Sequence, residues 1–337
     1  MKFNSVLLAA TALAASAVQA QSTCTEWSPC FREGYCDSDA MFCLWGLCDE
    51  TKSFNSTSCW KPEGCASQLV TFDSSSDVIP IRSYAGNPNV NPYLSIFEPD
   101  NTAVVDGALK LQMNYQAEQN KGFGATADAS HTIQYGKVTA RVKTASVAPG
   151  VVSSFIIRND QTGDEIDFEW VGKDPSQVQT NYYFNDILDY TKMVAYDVGA
   201  DTSKDYHEYT IDWTENHIQW LVDGKVIRTV NKADTLDAAT GRYLFPTSEA
   251  RVAFSIWDGG NSGAQGTAEW AGYPTPWGNG VSYQMFVDSV DVKCNGEGGQ
   301  EGSQTSDAGG EPSNPSPEPE PPVSTLPGGQ KCRPRPY

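Results

Sequence analysis

Apolar and polar residues alternate with a period of two through most of this chain. Val138, Ala140 and Val142 alternate with Lys137, Thr139, Arg141 and Lys143. Tyr209, Ile211 and Trp213 alternate with Thr210 and Asp212, and Ile218, Trp220 and Val222 lead into Asp223-Gly224. Val252, Phe254 and Ile256 alternate with Ala253, Ser255 and Trp257. A β-strand sends successive side chains to opposite faces, so each stretch reads as a half-buried strand. Asp-Gly after such a run predicts a two-residue hairpin turn. From about residue 66 to 294 no long stretch keeps a helical period, and Gly, Asn and Asp punctuate throughout. Many short strands with turn signals predict an all-β domain, a sandwich or a barrel. Trp213 and Trp220 share the parity of their apolar neighbours and are expected in the core; Trp257 shares that of Ser255.

One strand departs from ordinary alternation. In Gly163-Asp164-Glu165-Ile166-Asp167-Phe168-Glu169-Trp170-Val171-Gly172, the acids Glu165, Asp167 and Glu169 share one parity and Ile166, Phe168 and Trp170 the other. Same-face neighbours on a strand lie about 6.6–7 Å apart. Like charges at that spacing raise one another's pKa, which makes full ionisation costly. Such a face reads either as a solvated acidic surface or as the carboxylate pair of a glycosidase. Glycoside hydrolysis requires two carboxyl groups flanking the scissile bond, one kept protonated. The Cα atoms of Glu165 and Glu169 are about 13 Å apart by strand rise. Converging side chains close that to the roughly 5–5.5 Å of a retaining pair.

Composition sets the surroundings. The 337 residues leave room for one large all-β domain plus small extras. A formal net charge of −19 argues against nucleic acid or an anionic membrane as partner. Residues 1–20 read as a secretory signal: Lys2, the short apolar run Val6–Ala15, and Val18-Gln19-Ala20 at the cleavage site. That run is too short to span a bilayer. Seven of the nine cysteines fall between Cys24 and Cys65, which in a secreted chain reads as a disulfide framework (residues 21–58). Zinc is disfavoured there, because no Cys-x-x-Cys pair or nearby His exists. Cys59 and Cys65 are expected to pair at the start of the large domain (59–295), leaving one cysteine, such as Cys332, over. Asn55-Ser56-Thr57 is a glycosylation sequon. Residues 296–337 are rich in Pro, Ser, Glu and Gly and read as a disordered tail without the apolar end of a glycolipid anchor. His131, His207 and His217 show no metal spacing, and there is no phosphate loop or nucleophile elbow, so no cofactor or metal is expected.

Glu165-x-Asp167-x-Glu169 on an apolar-backed strand resembles glycoside hydrolase family 16. Several further segments resemble the fungal Crh/Utr transglycosylases of that family, over roughly residues 59–294. They are Tyr135–Thr144, Val178–Tyr183, His207–Trp213, Ile218–Gly224, Ser255–Gly260 and Gly266–Gly272. Cys24 to Cys48, with Glu33-Gly34-Tyr35-Cys36 and Phe42-Cys43, resembles a degenerate hevein-like module that lacks the adjacent Cys-Cys pair. Trp27, Tyr35, Phe42 and Trp45 are its candidate sugar-stacking residues, and chitin binding and simple capping both stay open.

The resemblance implies a concanavalin-like β-jelly-roll sandwich and a monomeric, secreted, wall-retained enzyme without a transmembrane segment. It implies cleavage of chitin and transfer to β-1,3/β-1,6-glucan. Glu165 becomes the nucleophile, Glu169 the acid/base and Asp167 the residue that orients Glu165. Trp257, Trp270 and Tyr183 are candidate sugar platforms, and Gln179, Asn181 and Glu269 candidate hydroxyl partners. Two rivals remain: a β-glucanase or chitinase that only hydrolyses, and a non-catalytic wall lectin. Three clustered acids argue against the lectin, since a binding groove gains little from them.

Overall fold

A computed structural model describes residues 24–55, 57–61 and 64–295. The expectations for the signal (1–20), the tail (296–337) and Cys332 lie outside them. The strands predicted by alternation form two antiparallel-dominated sheets facing one another, a β-sandwich. The outer sheet runs Lys225–Asn231, His217–Val222, His207–Trp213, Gly136–Lys143, Ser282–Cys294, Ala108–Gln116, Thr102–Val105. The inner sheet runs Val194–Asp197, Gln177–Tyr183, Asp164–Val171, Val151–Asn159, Arg251–Asp258, Ala125–Ala129, Tyr93–Phe97, Val78–Pro80. Only the last pair is parallel. Asp223 and Gly224 both have positive φ and close the tight hairpin between Val222 and Lys225, as a type I′ turn requires.

The core fills the space between the sheets. Ile166, Phe168 and Trp170 from the acid strand meet Tyr209, Ile211 and Trp220 from the outer sheet, all essentially fully buried. Trp170 and Tyr209 meet edge-on at 4.6 Å between ring centroids. Burying each such side chain stabilises by about 1.5–3 kcal/mol. Trp213 and Trp220 are core residues as parity predicted, and each indole N–H finds a carbonyl: Pro246 at 3.2 Å and Asp167 at 2.9 Å.

Among the described residues two short α-helices, Ala40–Cys43 and Gln265–Ala271, interrupt the β pattern. The first lies in the Cys-rich segment, where disulfides join Cys24 to Cys36, Cys30 to Cys43 and Cys48 to Cys59. Four of these cysteines are themselves the buried cluster of the module, consistent with a segment too small for an apolar core. The expected Cys59–Cys65 bond does not form. Cys65 pairs with Cys294 instead. The cause is sheet register: Gln68–Val70 runs antiparallel beside Ser282–Cys294, which returns the last strand to the first. Asn55 is exposed, and its side-chain oxygen accepts from the Thr57 N–H at 2.9 Å.

Candidate active site

The acid strand sits third in the inner sheet, between Val151–Asn159 and Gln177–Tyr183. Because Ile166, Phe168 and Trp170 point into the core, Glu165, Asp167 and Glu169 occupy the opposite, open face. The strand is fixed at its start and along its backbone. Asp164, 2% exposed, accepts the backbone N–H groups of Asn185, Thr247 and Ser248. Gly163 turns the chain at φ +69°, where a Cβ would fall 2.0 Å from the Asp186 carboxylate.

Register defines three rows across the open face. In the first, Arg251, Arg158, Glu165 and Tyr183 lie side by side. In the second come Leu94, Asp128, Ala253, Ile156, Asp167 and Asn181. In the third come Thr126, Ser255, Ser154, Glu169 and Gln179. Of the expected sugar-contacting residues, Gln179, Asn181 and Tyr183 thus fall directly beside the three acids. Trp257 and Trp270 stack at 5.8 Å, and the Trp270 indole donates to Gln179 at 2.7 Å. This sets an aromatic pair at the Glu169 end. Glu269, by contrast, is exposed on the helix Gln265–Ala271, and its carboxylate accepts from Gln265 at 2.8 Å. Tyr190, missed in the sequence, meets Tyr183 edge-on at 6.3 Å and is 69% exposed.

The environments of the two glutamates differ. Glu165 is ion-paired with Arg158, whose Nε also donates to Asp160 at 2.7 Å. Burial raises the Glu165 pKa, and the Arg158 charge works against that rise. Among the described residues Glu169 has no such cation: burial and then the Glu165 charge push it up to about 8. Burial, Glu169 and Glu165 hold Asp167 well above the ordinary carboxylate range. Neither oxygen of Asp167 hydrogen-bonds Glu165 or Glu169. The side chain that holds Glu165 is therefore Arg158, which sequence reading did not single out. Arg158 and Arg251 face each other across neighbouring strands. Asp128, 5% exposed, lies close enough to feel the Arg251 charge. Acids thus offset a like-charge pair that is otherwise unfavourable.

Three carboxyl groups on one strand of the sandwich's open face supply the paired acids that glycoside cleavage requires. The profile of Glycosyl hydrolases family 16 matches residues 90–272, a stretch that contains the acid strand and the Trp257–Trp270 pair. The chain is 36% identical over 296 residues to Crh-like protein 3 of Botryotinia fuckeliana, covering 86% of this chain and 64% of that one. It is 37% identical to Crh-like protein 2 of Aspergillus fumigatus, covering 87% of this chain and 68% of the relative. Among solved structures, apo Crh5 transglycosylase superposes with a TM-score of 0.56 at 28% identity, over 71% of this chain and 88% of the other. The same enzyme is also known in complex with NAG. A Bacillus licheniformis β-glucanase, 24% identical with a TM-score of 0.52 over 68% of this chain and 99% of its own, shares the fold. The chain belongs to glycosyl hydrolases family 16, with the Crh-like proteins. It spans 64% and 68% of the length of these two relatives, and 60% or less of other curated relatives it matches.

Proposed function

We propose that this protein is a retaining transglycosylase of cell-wall polysaccharide. The observation that carries the reading is the unequal setting of two carboxyl groups on one strand: Glu165 paired with Arg158, Glu169 without a cation and pushed upward. Two titratable groups driven apart by their surroundings divide into base and acid. Glu165 attacks the anomeric carbon while Glu169 gives its proton to the departing glycosidic oxygen, so one bond forms as the other breaks. A sugar hydroxyl then enters and its oxygen bonds to the anomeric carbon as Glu169 takes its proton and the bond to Glu165 breaks. The stacked Trp257 and Trp270 beside Glu169 hold the incoming chain against competition from water.

The NAG complex of Crh5 transglycosylase supports chitin as donor; β-1,3/β-1,6-glucan is the acceptor. The disulfides suit a secreted, wall-associated enzyme, which acts as a monomer. Asn55, exposed in its sequon, takes the glycan. The test is incubation with chitin oligosaccharide and a fluorescent β-glucan oligosaccharide, alongside Glu165→Gln. Labelled hybrid chains from the unaltered protein alone are expected. Shortened donor without hybrids means a hydrolase. No product, with oligosaccharide still bound, means a lectin.

A further inference from the structure

The Cys-rich module is not a free appendage. Ala40 and Leu44 from the module pack with Ile81, Tyr84 and Leu94 of the sandwich. Asp39 pairs with Arg82, and the Cys48 carbonyl accepts from Gln161 at 3.1 Å. Leu94 matters most, because it lies in the same row of the open face as Asp167. Its strand is four positions from the acid strand, about 19 Å at the usual strand spacing. The module therefore stands on the acid-bearing face, from Leu94 at its far end to Arg251, two strands from the acids.

A cavity of about 590 Å³ opens between the two, within the ordinary range for small-molecule sites. Phe31 and Leu47 of the module and Ile96 of the inner sheet give it apolar walls, and Asp49 and Asp160 give polar ones. Gly46 leaves its backbone bare there; a Cβ would come 2.9 Å from the Arg251 guanidinium. Arg251 is 4% exposed, and its Nη1 makes no hydrogen bond among the described residues. Two cations and three carboxylates line the cavity. Arg32 pairs with Glu33 and Lys52 with Asp49 at 2.7 Å, while Asp160 shares Arg158 with Glu165. The lining therefore offers no excess of positive charge to an anionic ligand. Apolar walls with paired polar groups fit a neutral sugar, whose C–H faces rest on the former while its hydroxyls share the latter. Continuity with the acids is direct, since Arg158 bonds both Asp160 in the cavity wall and Glu165.

We propose that this junction cavity is a distal carbohydrate subsite, binding a neutral β-linked oligosaccharide segment that runs along the open face from Glu165 to the module. The inference rests on the glycosidase reading for its ligand class, so its test reads binding separately from turnover. Methyl-labelled protein carrying Glu165→Gln is titrated with chito-oligosaccharides in one arm and β-1,3-glucan oligosaccharides in the other. Shifts are followed at the Leu47 and Ile96 methyl groups. Lys52→Trp crowds the cavity from an exposed position, and Phe31→Ala removes a wall.

Shifts at both methyl groups are expected with long oligomers and not with disaccharides. The arm that gives them names the chain bound. Each substitution is expected to weaken long-oligomer binding by about ten-fold, with disaccharide affinity unchanged. Saturating long oligomer without methyl shifts overturns the subsite even if hybrid chains are made. Methyl shifts in the Glu165→Gln protein, with no product from the unaltered protein on the same oligomers, keep the subsite and overturn the catalytic reading.

Discussion

Arg158 and Glu165 stand directly opposite one another on the two strands of a hairpin and are joined by an ion pair. Asp167, the side chain expected to orient Glu165, makes no hydrogen bond to it. A cation there favours the carboxylate form, the form the proposed nucleophile requires.

Replacing Arg158 by Gln removes the charge that works against the upward shift of Glu165. The acid limb of the kcat/KM profile is expected to move to higher pH. A limb that stays in place would mean that Arg158 only supports the hairpin.

Glu169→Gln keeps the shape and removes the proton. Turnover of a natural glycoside is expected to drop by about 10²–10⁴-fold. A donor with an activated leaving group, which needs no protonation, should retain most of its first step. Equal losses on both donors would take the acid/base role away from Glu169.

The same raised carboxyl group makes a stability prediction. Glu169 holds its proton up to about 8 in the folded chain, whereas an unfolded glutamate releases it near about 4.3. Its stabilisation is complete below the unfolded value and lost as pH rises through the folded one. The Tm should therefore decline across that window, and Glu169→Gln should flatten the decline. Calorimetry at matched ionic strength checks both.

Trp220 reaches across the core to the Asp167 carbonyl. Trp220→Phe leaves that buried acceptor without its donor, at a cost of about 1–3 kcal/mol. A lowered Tm is expected together with a lowered kcat, because the bond pins the middle of the acid strand. Trp213→Phe, which frees only the Pro246 carbonyl, should lower the Tm and spare kcat.

The alternation of Ile166, Phe168 and Trp170 with the acids was readable because a strand's period of two is local. So were the buried indoles of Trp213 and Trp220. Arg158 was not singled out, although the turn Asn159–Asp164 with Gly163 could have placed it opposite Glu165. A hairpin register, rather than residue type, reveals that partner. The Cys65–Cys294 bond had no local signal, being set by the pairing of two strands far apart in the chain, with the cysteines themselves 229 residues apart. The helix carrying Trp270 is only seven residues long, too short for a helical period to stand out. Nor does any pattern within residues 24–61 announce that the module docks beside Leu94, since its contacts depend on where that strand joins the sheet.

The Cys65–Cys294 bond also changes what a protease can do to this protein. Everything between those two cysteines is a closed covalent loop, threaded through both sheets. One cut in a surface connection, for example among Ile187, Leu188 and Tyr190, which are all exposed, opens the loop but releases no fragment. A nicked molecule would run as one species until a reductant is added, and only then separate in two.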